Sequence, residues 1–167
     1  MAAIDDLLAR DEIRRLALAY AVACDGKDLD ALAGLFAPDV DNGRYGTGPD
    51  GVRAFYAQSL RKFHCSMHIV TNHVIELDDD EHASGVVYCD ARHHVLEPEH
   101  WFDEPLAYLD AYERIDGRWC FRRRRVRSWY RQVHHDRVVP EVVESGPRRG
   151  GRMPEAFPTF AAFWGDG

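Results

Sequence analysis

Apolar residues recur at helical spacing from Ile4 to Cys24, at Ile4, Leu7, Leu8, Ile13, Leu16, Ala17, Tyr20 and Cys24, with Asp5, Asp6, Arg10, Glu12, Arg14 and Arg15 mostly between them. That period predicts an amphipathic helix, compatible with a break at Arg10-Asp11 and running out at Gly26. A second helix is expected over Asp28 to Phe36, because Pro38 prevents easy continuation. Asp39 to Tyr45 reads as a short strand. A third helix lies between Thr47-Gly-Pro-Asp-Gly51 and Phe63, with Val52, Phe55, Tyr56 and Leu60 as its apolar stripe.

The period then changes to two. Met67 to Leu77, Ala83 to Leu96, Pro105 to Ile115 and Arg118 to His134 are rich in β-branched and aromatic residues and separated by turns, so they read as strands. Asp116-Gly117 between two of them is a hairpin signal that makes the last strands antiparallel neighbours. Glu97 to Asp103 reads as a longer connection or bulge. Helices followed by a meander predict the α+β class, with three N-terminal helices packed in a strongly curved, mostly antiparallel sheet and a cavity between them. The domain is assigned to residues 1–135. Residues 136–167, with Pro140, Pro147, Pro154, Pro158, the basic run at 147–152 and the apolar finish Phe157 to Trp164, form an extension expected to cover the cavity mouth or contact another subunit.

Composition narrows the partners. A chain of 167 residues is long enough for one well-buried core without disulfides or metal. Its 21 Lys and Arg against 28 Asp and Glu give net charge −7, the wrong sign for nucleic acid or an anionic membrane surface. Cys24, Cys65, Cys89 and Cys120 form no CxxC pair, and the start of the chain has neither a basic leader nor an apolar signal core. A cytoplasmic protein with buried reduced thiols is expected.

The candidate chemistry is an acid–base pair. Asp25 stands where the first helix ends and His68 opens a strand, so the two meet if the helix lies across the sheet. A carboxylate that holds an imidazole in one tautomer makes a general base near neutral pH. Alternation places His68 on one face with Val70, Asn72 and Val74, and His73 on the other. Tyr20 lines the same end of the helix as Asp25, and His93 shares a strand face with the small residues Cys89 and Ala91. Arg122 and Arg124 fall on one face of the last long strand, with Trp119, Phe121, Arg123 and Arg125 on the other. The nine histidines show no three-ligand metal spacing, and no phosphate loop, dinucleotide fingerprint or serine elbow is present, so neither metal nor cofactor is expected.

The order Tyr20-x4-Asp25, Leu35-Phe-Ala-Pro-Asp39, Gly51-Val-Arg-Ala-Phe55, His68-x3-Asn72 and Tyr108-Leu-Asp-Ala-Tyr-Glu-Arg114, followed by Gly117-Arg-Trp119 and Arg124, resembles the SnoaL-like branch of the nuclear transport factor two-like superfamily over residues 4–130. The resemblance implies a cone-shaped α+β barrel. Within the superfamily the chain is most similar to the cofactor-free lyases of the scytalone dehydratase, hexachlorocyclohexane dehydrochlorinase and bile-acid dehydratase types, whose Asp–His dyad corresponds to Asp25 and His68. It further implies that Tyr20 assists, that Arg124 takes a leaving group or polarises a carbonyl, that His93 donates a proton, and that Phe55, Asn72 and Tyr108 line the substrate pocket.

The expected function is therefore a cofactor-independent dehydratase-like lyase, isomerase or cyclase for a hydrophobic cyclic small molecule. The fold also serves in non-catalytic modules such as the β subunits of ring-hydroxylating dioxygenases, the alternative reading. Homo-oligomers, trimeric or dimeric, are expected from the exposed sheet face of such folds.

Overall fold

The computed structural model describes residues 3–134, 153–154 and 156–165. Helix α1 spans Ala3–Asp25 without a break at Arg10-Asp11, and Ile13, Ala17, Tyr20 and Cys24 face the core. It closes through a left-handed residue: Lys27 takes φ 55°, the Asp28 N–H bonds the Ala23 carbonyl at 2.9 Å, and the Lys27 N–H bonds that of Cys24 at 3.2 Å. Helix α2, Leu29–Gly34, starts at once because the Asp28 carboxylate accepts the Ala31 N–H at 2.9 Å. The short strand expected over Asp39 to Tyr45 is instead a 3-10 turn at Gly43–Tyr45 with one bridge between Asp41 and Thr47. Gly43 and Gly46 at positive φ bend this stretch too sharply for a strand. Helix α3 runs Gly48–Leu60 and buries Val52, Tyr56 and Leu60.

Strands β1 (Cys65–Leu77), β2 (His82–Leu96), β3 (Glu99–Ile115) and β4 (Arg118–Ser128) form an antiparallel sheet in chain order, and β5 (Gln132–His134) also pairs with β3. The sheet stays open, and α1 lies across β1. The stretch expected as a connection at Glu97 to Asp103 is mostly strand, because β3 continues beside β2 until Glu99 meets Leu96. The Asp116-Gly117 hairpin forms with both residues at positive φ. All four cysteines are buried, and none is in a disulfide.

Two register shifts decide which side chains reach the interior. In β1, Val70 pairs with Cys89 and His73 with Val87, so Thr71 and Asn72 together face one residue of β2. The bulge reverses the alternation. His73 and Ile75 point to the helices, while Asn72 and Val74 are exposed, so the expected common face of His68, Asn72 and Val74 does not exist. In β4, Ala111 pairs with Arg123 but Tyr112 with Phe121, and Arg122 is the extra residue. Arg124 therefore lies on the side of Phe121 and Trp119, not on that of Arg122.

The described part of the tail returns to the end of α1. The Thr159 hydroxyl donates to the Gly26 carbonyl at 2.6 Å, and helix α4, Phe160–Gly165, buries Phe160 and Phe163. Phe163 covers Lys27 and Arg61, and Trp164 packs beside His64. The basic run at 147–152 lies outside the described residues. Among the described residues no helix is long and apolar enough to cross a membrane.

Candidate active site

Asp25 and His68 meet at the junction of α1 and β1. Asp25 Oδ1 stands 2.6 Å from His68 Nδ1, and Oδ2 accepts the His68 main-chain N–H at 3.0 Å. Both oxygens thus take protons from one residue, which fixes the ring with Nδ1 protonated and leaves Nε2 with a free lone pair. The side chains are 14% and 8% exposed, so solvent hardly competes for these bonds. This is the geometry of an oriented general base.

His93 stands next to it, the two imidazoles 5.6 Å apart and nearly perpendicular. Its ring stacks on Phe63 at 4.3 Å and packs against Phe102 at 4.9 Å, and its Nδ1 lies 3.0 Å from the Ser66 hydroxyl. Burial, aided by the nearby His68, Lys27 and Arg131, lowers its pKa to about 3. At neutral pH His93 therefore acts as a neutral ring, not as an imidazolium acid. An unfolded histidine titrates near 6.5, so stability from neutral His93 is complete above that pH and is lost as pH falls toward 3. The slope expected in this window is about 1.4 kcal/mol per pH unit. His93→Phe should flatten the dependence between pH 7 and 5 in urea unfolding; an unchanged slope would assign the acid sensitivity elsewhere. His73, lowered to about 4 by burial, adds less because it is less deeply buried than His93.

Deeper inside, the Arg124 guanidinium lies over the rings of Tyr20, Tyr108 and Phe121 at 4.2, 4.1 and 4.2 Å. Its Nε and Nη2 donate to the two carboxylate oxygens of Asp110 at 2.9 and 2.6 Å. Burial opposes the charge, but the Asp110 bonds outweigh it and raise the arginine pKa above its ordinary value. Tyr56 donates to the Tyr20 hydroxyl at 3.3 Å, and burial pushes the pKa of Tyr20, Tyr56 and Tyr108 upward, so all three remain neutral phenols.

The structure thus brings together Asp25 with His68 and His93, and Tyr20 with Tyr108 and Arg124. It does not bring in Asn72, exposed by the β1 bulge, or Phe55, 37% exposed and packed on Tyr45 and Tyr56. The sequence marks Asp110 only as a partner for arginines other than Arg124, places His73 on the face opposite His68, and does not single out Tyr112, Ser66 or Lys27. Lys27 is 2% exposed, its ammonium donates to the Leu60 carbonyl at 3.4 Å, and burial lowers its pKa. Its burial depends on α4, which no local pattern around Lys27 signals. Among the described residues no group of three or more His, Cys, Asp or Glu side chains is arranged to hold a metal ion.

An open antiparallel sheet packed against N-terminal helices, with a His–Asp pair where the first helix crosses the first strand, defines the cone-shaped α+β class. The sequence pattern of the SnoaL-like domain matches residues 5–125, and the chain belongs to that family. Its fold is similar to that of LinA, at 25% identity, with 81% of this chain and 95% of that one covered and a TM-score of 0.74. It is also similar to the hexachlorocyclohexane dehydrochlorinase LinA-type3 of Novosphingobium barchaimii LL02, at 22% identity over 80% and 95% of the chains with TM-score 0.73. A candidate scytalone dehydratase of Novosphingobium aromaticivorans superimposes at TM-score 0.68, with 23% identity over 80% and 92% of the chains. No curated protein matches the chain.

Proposed function

We propose that this protein is a cofactor-independent lyase of the dehydratase kind, or an isomerase, acting on a hydrophobic cyclic small molecule by proton abstraction at His68. The observation that carries the reading is the pair of hydrogen bonds from His68 to Asp25, which leaves Nε2 as the basic nitrogen. Family membership and the dehydrochlorinase and dehydratase neighbours support a lyase-like kind of enzyme. In the proposed reaction Nε2 takes a proton from carbon next to a carbonyl, and the C–H electron pair moves into an enolate. Arg124 and neutral Tyr20 stabilise the oxygen. Collapse of the enolate forms the carbon–carbon double bond and expels the β-substituent, which leaves as water when His68 gives it the proton taken from carbon. Isomerisation shares the first step and returns the proton to another carbon.

The test compares wild type with His68→Ala on a panel of cyclic β-hydroxy ketones, following the absorbance of the conjugated product. Wild-type turnover that falls by about 10² to 10⁴ in the variant supports the reading. Equal turnover in both would sink it. Tight calorimetric binding of the same ketones without turnover would make the protein a binding module.

We also propose self-association, as a trimer or dimer, through the sheet face turned away from the helices. Met67, Ile69, Val74, Tyr88 and Leu109 are exposed there, more apolar surface than an isolated sheet face ordinarily leaves in water. Light scattering at micromolar concentration should give a multiple of 19.1 kDa; a monomer mass would overturn this.

A further inference from the structure

We propose that Asp110, Tyr112 and His73 are positioning residues that hold the Arg124 guanidinium with its Nη1 edge free to bind an oxygen acceptor of the substrate. This rests on the reading of the interior as the reaction site. Of the donors in the arginine fork, Nε and Nη2 are committed to Asp110, while Nη1 is buried without a hydrogen-bond partner. A buried donor of this kind is unfavourable unless something fills its place. Rotation cannot relieve it. The Asp110 bonds oppose turning within the guanidinium plane, and the rings of Tyr20, Tyr108 and Phe121 oppose tilting.

The anchor is itself anchored. The Asp110 side chain is fully buried, and its Oδ2, besides taking Arg124 Nη2, accepts the Tyr112 hydroxyl at 2.8 Å. Tyr112 has one proton and gives it to the carboxylate, so its oxygen is an acceptor for His73, whose Nε2 lies 3.0 Å away. His73 must therefore carry its proton on Nε2. The line of bonds His73 to Tyr112 to Asp110 to Arg124 runs across β1, β3 and β4, and both bulges are required for it. Without the bulge at Thr71-Asn72, His73 would face outward, and without the one at Arg122 so would Arg124. Gly85 on β2 leaves the room: a Cβ there would stand 3.1 Å from the Tyr112 ring, 3.3 Å from His73 Nε2 and 2.8 Å from the Val74 carbonyl. None of these residues touches Asp25 or His68 in the hydrogen-bond network, so this arrangement is separate from the base.

Formate, a small planar oxyanion, is the probe. Its titration is followed on the Arg124 side-chain resonances by ¹⁵N NMR in wild type, Tyr112→Phe, His73→Leu and His73→Gln, with urea unfolding of each. Saturable formate binding at Arg124 is expected in wild type, weakened about tenfold by Tyr112→Phe and His73→Leu, the loss of one net hydrogen bond. His73→Gln, whose amide still donates to Tyr112, should recover most of the affinity. Formate that leaves the Arg124 resonances unmoved in wild type overturns the proposal. So does unchanged affinity in Tyr112→Phe with only reduced stability, since that is a structural role. The His68 ring signals are recorded in the same spectra, so failure of the base and failure of this positioning are read separately.

Discussion

Asp25→Asn is expected to reverse the tautomer of His68 and to lower turnover by about 10⁴-fold, the size of effect seen when a buried orienting carboxylate becomes an amide. The reason is the double contact. The carboxylate accepts both the His68 main-chain N–H at 3.0 Å and the Nδ1 proton at 2.6 Å, and an amide accepts with only one of its two atoms. If the Asn oxygen keeps the main-chain bond, its NH₂ faces Nδ1, which must then accept, and the ring proton moves to Nε2. A base with its proton already in place abstracts none. The tautomer is read from imidazole ¹⁵N shifts without any substrate, and kcat/KM follows on a ketone that the wild type turns over. Wild-type shifts in the variant would show that Asp25 does not orient His68, and the lyase reading would lose its main support.

The second large effect is on stability. Arg124→Met should destabilise the fold by about 3–5 kcal/mol, because it strands the Asp110 carboxylate without its partner in the interior. The two side chains are 4% and 0% exposed, so water does not replace the lost bonds. The double variant Arg124→Met/Asp110→Leu should regain much of the loss, since neither charge is then left buried. Urea midpoints of the wild type, the two single variants and the double variant close the cycle. A single variant within about 1 kcal/mol of wild type would mean that solvent reaches Asp110 and that the pair behaves as a surface one.

The two effects separate the roles of the two carboxylates. Asp25 works on a histidine whose far nitrogen is free for chemistry, while Asp110 works on an arginine that without it would be an unpaired buried charge. Stability loss without tautomer change identifies the Arg124–Asp110 assembly. Tautomer change with a modest stability loss identifies the dyad.

Much of this arrangement is legible along the chain. The 3.6-residue period up to Cys24 and Gly26 marks the end of α1, and alternating β-branched residues mark the sheet, because both signals come from burying one side of a local element. Asp25 and His68 stand out since each occupies the end of such an element. Arg124 is also found, but through family resemblance. Simple alternation places it beside Arg122, and the β4 bulge places it on the ring of Phe121. Asn72 fails for the same reason, carried outward by the β1 bulge, and that bulge brings in His73, which alternation assigns to the opposite face.

Phe55 fails differently. It belongs to the apolar stripe of α3, but it packs on Tyr45 on the exposed side of the helix, and Tyr56 beside it takes the interior position against Tyr20. Lys27 stands in the short turn between α1 and α2, and α4 folds back from far along the chain to cover it.

By itself, then, the amino-acid sequence determined the α+β class, the order of the three N-terminal helices and the four long strands, and a carboxylate at a helix end and a histidine at a strand start as the candidate pair. These follow from local periodicity and from turn chemistry at Gly26, Asp28 and Asp116-Gly117. The tertiary structure alone decided that Arg124 and His73 turn inward, that Asp110 and Tyr112 join them, and that Lys27 is covered. A bulge is a mismatch between two strands, so it exists only in their pairing, and one extra residue reverses the face of every side chain beyond it.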